Sequence, residues 1–140
     1  MKVLGIDHVA ICVPDVSAGA LPLIDLLGLG IGPREVVEAQ KTEAFFLLAG
    51  EEAGACIEMI APAGDNVGLK KFLQKRGSGL HHVAFLVEDL AGALAELDSR
   101  GVKLIDKVPR PGARGHLVGF LHPEACGGTL VELVGHRRKG

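Results

Sequence analysis

The chain has no tryptophan and no tyrosine, so the usual aromatic platforms for stacking nucleic-acid bases are missing. Long basic runs are missing too, and at a formal net charge of −2 the clustered Lys and Arg of a phosphate-binding surface are not there; nucleic acid is excluded as a partner. The terminal His136-Arg137-Arg138-Lys139 reads as a solvated tail. No apolar run reaches the ~18 residues of a bilayer span, and the first residues carry no basic-then-apolar signal segment. The expected location is therefore cytoplasmic, away from any membrane. Cysteine is scarce and odd in number, at Cys12, Cys56 and Cys126. Two of the three sit inside apolar runs, which fits buried reduced thiols better than disulfides or a thiolate metal site.

What remains is a soluble globular composition, 48% hydrophobic and 23% charged, with 20 glycines for tight turns. A chain of 140 residues fits one domain or two small fused units, and can bury roughly 70% of its unfolded surface.

The organising signal is an internal repeat. Gly5-Ile6-Asp7-His8-Val9-Ala10-Ile11-Cys12-Val13 returns as Gly79-Leu80-His81-His82-Val83-Ala84-Phe85-Leu86-Val87, an offset of 82 − 8 = 74 residues. Ala55-Cys56-Ile57-Glu58-Met59-Ile60 likewise returns as Thr129-Leu130-Val131-Glu132-Leu133-Val134, and His8 to Glu58 and His82 to Glu132 are both 50 residues. Two imidazoles and two carboxylates related by one offset form a metal-ligand pattern that none of them makes alone.

The elements follow the same repeat. Strand 3–13 ends at Pro14-Asp15, and Asp15 or Ser17 caps a helix over 18–27, with Pro22 admissible only near its first turn and Gly28 as its stop. Strands are expected at 32–37, 42–48 and 55–61, with a turn at 49–54. Pro62-Ala63-Gly64-Asp65-Asn66 punctuates the chain, and Leu69, Phe72 and Leu73 give 67–76 helical spacing. The pattern restarts with strand 80–87, Asp89 as N-cap, helix 90–100 and Gly101 as stop, then strands at 102–108, 117–122 and 129–134. The expected class is α+β: two βαβββ modules in tandem, 1–62 and 79–140, joined by a connector helix within 63–78, forming a curved mixed sheet. A helix covers one face of each sheet, so the other face must bury or line a metal-binding cleft.

These residues resemble the vicinal oxygen chelate (glyoxalase/bleomycin resistance/dioxygenase) superfamily, over nearly the whole chain. Within it, Ile6-Asp7-His8-Val9-Ala10-Ile11, Lys71-Phe72-Leu73-Gln74-Lys75-Arg76-Gly77 and Phe120-Leu121-His122-Pro123 before Gly127-Gly128-Thr129 are similar to the methylmalonyl-CoA epimerase family. The resemblance implies a single domain of that type, a homodimer, and an acyl-CoA substrate. It implies a divalent metal, with Co2+ ahead of Zn2+, Ni2+, Mn2+ or Mg2+, on His8, Glu58, His82 and Glu132. It implies interconversion of (R)- and (S)-methylmalonyl-CoA by 1,1-proton transfer through a metal-stabilised enolate, with Glu132 as one catalytic carboxylate and Glu43 as an approximate match to the other. The first-half carboxylate position is Gln in some members and Glu58 here.

The chemistry is coherent. The α-proton lies between a thioester and a carboxylate, its removal places charge on the thioester oxygen, and inversion requires proton carriers on both faces of the carbon. Plainer readings stand beside it. His8 and His82 could be strand histidines bonded to backbone, whereas Glu58 and Glu132 amid apolar neighbours favour a ligand or paired role. His81 should face away from His82 as a structural or supporting group. His122 could pack its turn or line the cleft, and His116 and His136 read as surface residues. Lys70, Lys71, Lys75 and Arg76 could meet CoA phosphates or form a solvated helix face, and 109–115 could be a cleft rim or a plain loop. Rival functions are a glyoxalase I-like lactoylglutathione lyase, with the same ligand types, and a metal-free antibiotic-binding protein. An extradiol dioxygenase fits less well, since Glu58 exceeds two His and one carboxylate.

Overall fold

The computed structural model describes residues 1–50 and 54–136. The expected turn at 49–54 and the terminal tail therefore lie partly outside the described residues. By internal contacts the chain divides into two compact units, His8–His81 and Met1–Asp7 with His82–Gly140. Among the described residues, no helix is long and apolar enough to cross a membrane.

In the unit His8–His81, strand β1 (Val3–Cys12, completed by Met1–Asp7 of the other unit) leads into helix α1 (Val16–Leu27). Asp15 Oδ1 accepts from the backbone N–H groups of Ser17 and Ala18, and Gly28 closes the helix at φ 67°. The helix starts earlier than expected, which places Pro22 in its interior. Pro22 is exposed, so water can reach the Ala18 carbonyl that the missing N–H leaves without its helical donor. Strands β2 (Gly30–Val37), β3 (Thr42–Leu48) and β4 (Cys56–Pro62) follow, in the spatial order β2-β3-β4-β1. β1 and β4 are parallel and the other neighbours antiparallel.

Residues with odd numbers on β1, β3 and β4 face α1: Ile11, Phe45, Leu47, Ile57, Met59 and Ala61 pack with Val16, Ala20, Leu23 and Ile24. Residues with even numbers face the other way, and there helix α2 (Val67–Arg76) covers Ala10, Cys12 and Ile60 with Leu69, Phe72 and Leu73. Asn66 holds α2 in place: its Oδ1 accepts from Leu69 N, and its Nδ2 donates to the Lys41 carbonyl at 2.9 Å.

The second unit repeats the order with β5 (Gly79–Val87), α3 (Leu90–Ser99), β6 (Arg110–Pro111), β7 (Leu117–Leu121) and β8 (Val131–Gly135), arranged β5-β8-β7-β6. Asp89 caps α3, one repeat offset after Asp15. Val87, Leu90, Ala93, Leu94, Leu97, Leu121 and Leu133 form the core under the helix. Ala84, Val118, Phe120 and Val134 form a smaller cluster on the opposite face.

The strand expected at 102–108 is not there. Only a bridge from Leu104 to Leu121 marks it, and the ladder resumes at Arg110–Pro111. The Asp106 carboxylate accepts from Phe120 N at 2.9 Å, so a side chain takes over pairing that backbone would supply, and Pro109 has no N–H to extend the run.

Candidate metal centre

Each unit buries one His–Glu pair on the face away from its crossover helix. In the first, His8 of β1 and Glu58 of β4 are 3% and 6% exposed, and His8 Nε2 lies 3.5 Å from Glu58 Oε1. In the second, His82 of β5 and Glu132 of β8 are 7% and 4% exposed, with Nε2 to Oε1 at 3.8 Å. The register makes both pairs the same construction. Ala10 is opposite Glu58 and Ala84 is opposite Glu132, on parallel strands, so the histidine two residues earlier reaches its glutamate diagonally past a small side chain.

These separations exceed a good N–H···O bond, which centres near ~2.9 Å. They are close to what two donors adopt on one ion: bonds of about 2.1 Å at right angles or tetrahedral angles leave ligand atoms roughly 3.0–3.4 Å apart. Two imidazoles and two carboxylates, all buried, are also a donor set that suits a divalent ion, because an ionised carboxylate in an apolar surround is costly unless a cation balances it.

A third position recurs that the sequence reading missed. Phe46 meets His8 edge-on, with centroids 5.9 Å apart and planes at 88°, and Phe120 meets His82 at 5.4 Å and 86°. The two phenylalanines are again 120 − 46 = 74 residues apart, and each is opposite its unit's glutamate, Phe46 facing Glu58 and Phe120 facing Glu132. Each ring walls one side of an imidazole and limits its rotation. The signal was present in the repeat, in Phe46-Leu47 and Phe120-Leu121, but phenylalanine reads as core before it reads as a site wall.

Glu43 is not on this face. It alternates with Phe45 and Leu47 toward α1, where its Oε1 accepts from Arg34 Nε and Nη2 at 3.0 and 2.7 Å, while Arg34 Nη1 donates to Ser17 Oγ. Arg34 also lies over the Phe45 ring. His81 packs edge-on against Phe72 at 5.0 Å, and burial, helped by the nearby Arg76, holds its imidazole below the usual histidine range. His122 is a cap: its Nδ1 accepts from Glu124 N at 3.1 Å in the turn that follows. His116 is only half-buried and stacks on the exposed His136 at 4.5 Å, and His136 lies 3.5 Å from Asp7. Cys12 is buried, and Cys56 and Cys126 are partly so.

A family model described as the glyoxalase/bleomycin resistance protein/dioxygenase superfamily matches residues 7–120. The chain is 38% identical to the uncharacterized protein YqjC of Bacillus subtilis, over 91% of this chain and 89% of that one. It is 35% identical to the ethylmalonyl-CoA/methylmalonyl-CoA epimerase of Cereibacter sphaeroides, over 91% and 95%. Among solved structures, methylmalonyl-CoA epimerase from Mycobacterium tuberculosis superposes with a TM-score of 0.90 at 34% identity, covering 98% of this chain and 91% of that one. A methylmalonyl-CoA epimerase in complex with methylmalonyl-CoA and ammonium gives 0.91 at 28% identity, covering 98% and 97%. The chain belongs to the glyoxalase/bleomycin resistance protein/dioxygenase superfamily and, within it, to the methylmalonyl-CoA epimerase family.

Proposed function

We propose that this protein is a metal-dependent epimerase that interconverts the two epimers of methylmalonyl-CoA by removing and returning the proton at C2. One observation carries the reading: two buried His–Glu pairs of the same construction, each walled by a phenylalanine. His8, Glu58, His82 and Glu132 are taken to hold one divalent ion, cobalt first among Zn2+, Ni2+, Mn2+ and Mg2+, because two imidazoles and two carboxylates suit such an ion. Bound there, the ion supplies positive charge that offsets the negative charge growing on the thioester oxygen. Relatives named for this substrate, one solved with it bound, favour an acyl-CoA over other thioesters.

The protein's own part is orientation and proton transfer. Phe46 and Phe120 each wall the imidazole of their own unit and limit its rotation. Glu132 is proposed as one proton carrier. The second must act from the other side of the carbon, because one carrier alone mostly restores the starting epimer. Glu43 remains a candidate, although Arg34 holds its carboxylate on the α1 side. Glu38 is a second one. It opens the turn Glu38–Gln40, which Asn66 ties to the start of α2 beside the Glu58 face.

We further propose a single domain of modules 1–62 and 79–140 with connector 63–78, acting as a cytoplasmic homodimer. The test is deuterium exchange at C2 of methylmalonyl-CoA in D2O, with and without a chelator. Exchange that disappears with the metal and returns with Co2+ supports the reading, and no exchange in metal-loaded protein overturns it. Glu38→Gln and Glu43→Gln then assign the second carrier: the variant that slows exchange from one epimer only identifies it.

A further inference from the structure

Phe120, the ring that walls His82, is held through its backbone and its side chain by residues 105–110. Its carbonyl accepts from Ile105 N at 2.9 Å and from Asp106 N at 3.1 Å, and its own N–H donates to Asp106 Oδ2 at 2.9 Å. The second oxygen of that carboxylate, Oδ1, lies 3.1 Å from Arg110 Nε. Arg110 is opposite Val118 in the β6–β7 ladder, and Val118 shares a face with Phe120. The guanidinium therefore reaches over the Phe120 ring, its central carbon 5.3 Å from the centroid. One carboxylate thus ties the backbone of Phe120 to the cation that covers its ring.

The first unit does not repeat this pair. At the repeat offset, Asp106 corresponds to Gly32 and Arg110 to Val36, neither of them charged. A Cβ at Gly32 would lie 2.9 Å from the Phe46 carbonyl oxygen, so there the β2 backbone itself packs on the phenylalanine and leaves no room for a side chain. Where the second unit lacks that strand, two side chains take its place against Phe120. Asp106 and Arg110 are only partly buried. An ion pair so placed contributes little net stability, because desolvation and solvent screening offset the attraction. What it fixes is direction.

We infer that Asp106 and Arg110 are positioning residues that act through Phe120 on His82, which deepens the proposed function and rests on it for the role of His82 as a metal ligand. A pinned Phe120 keeps its edge-on contact with His82 at 5.4 Å, and so keeps Nε2 directed at Glu132 Oε1, 3.8 Å away. His82 is held by a charged brace that the repeat does not give His8.

Arg110→Met keeps the length of the side chain and removes the guanidinium. In metal-free protein the imidazole nitrogen resonances of His82 should shift and broaden in NMR spectra, and those of His8 should stay. Co2+ affinity, read by competition with a chelating dye, should fall roughly tenfold. Asp106→Asn keeps an acceptor for the Phe120 N–H, loses the charge, and should act in the same direction. Arg110→Lys restores a cation beside Asp106 and should recover part of both readings. In a Phe120→Leu background, Arg110→Met should change neither reading further, because the pair acts through the ring. His82 resonances that Arg110→Met leaves in place, or a change as large in the Phe120→Leu background as in the wild type, overturn the inference. The resonances are read without metal, so a wild-type protein that binds no Co2+ would overturn the proposed function while the spectra still decide whether Arg110 positions His82.

Discussion

Asp7, immediately before His8, offers a measurable test of how the loop before β7 is held. Its carboxylate is almost fully buried and receives Arg114 Nη2 at 2.5 Å, with His136 Nε2 at 3.5 Å. Arg114 is about a quarter exposed and sits at φ 58°, a left-handed conformation that costs a non-glycine residue about 1 kcal/mol or more. The pair must therefore offset that strain as well as its own desolvation. Breaking a fully buried ion pair costs about 3–5 kcal/mol. In Asp7→Asn the stranded guanidinium still reaches water, which brings the expectation down to about 2 kcal/mol. In Arg114→Met the carboxylate keeps His136 but loses its closest cation, and the cost should be larger, about 3 kcal/mol. Urea unfolding followed by circular dichroism gives both values, and the double variant gives the coupling, expected at about 1.5 kcal/mol or more. Single costs below about 0.5 kcal/mol, or costs that simply add, would refute the claim that this pair holds the loop.

Three further outcomes are expected. A Cβ at Gly119 would meet Leu94 Cδ1 at 2.7 Å in the packed core, so Gly119→Ala should cost about 1–3 kcal/mol, and Leu94→Val in the same chain should recover part of it; full additivity in denaturant melts argues against the packing described. Burial pushes the Cys12 thiol up to about 11. The folded state therefore keeps a proton that the unfolded chain gives up sooner, so the thiol's contribution is lost as pH climbs from the ordinary thiol range toward 11, and iodoacetamide at pH 8 should leave Cys12 unlabelled until the protein unfolds. Phe46→Leu and Phe120→Leu should each cost about 1–2 kcal/mol through the lost edge-to-face contact and repacking and should weaken Co2+ binding, read by competition with a chelating dye; unchanged metal affinity in both would remove the phenylalanines from the site.

The repeat made much of this legible in the sequence, because it relates groups rather than residues. The two buried His–Glu pairs, His8 with Glu58 and His82 with Glu132, are related by one offset, and the N-caps Asp15 and Asp89 obey it too. Where local chemistry departs between the copies, the sequence reading failed. Residues 102–108 correspond in offset to part of β2, yet the Asp106 side chain and Pro109 divert the backbone there. The face of Glu43 is not legible for a different reason: Thr42-Glu43-Ala44-Phe45-Phe46-Leu47 is apolar on both faces, so alternation alone does not say which face is which. The register with β4 decides it, placing Phe46 opposite Glu58. By sequence Pro22 is admissible only near the first turn of a helix, where its missing N–H is free of cost; an exposed mid-helix position lets water serve the orphaned carbonyl instead.

The central claim is that one ion is shared by all four buried side chains. Titration of metal-free protein with Co2+, followed by the d–d absorption of the bound ion, tests it most directly. One equivalent per chain is expected, with the spectrum altered or lost in each of His8→Ala, Glu58→Gln, His82→Ala and Glu132→Gln. Two equivalents per chain, or a spectrum indifferent to one of the two pairs, would contradict it.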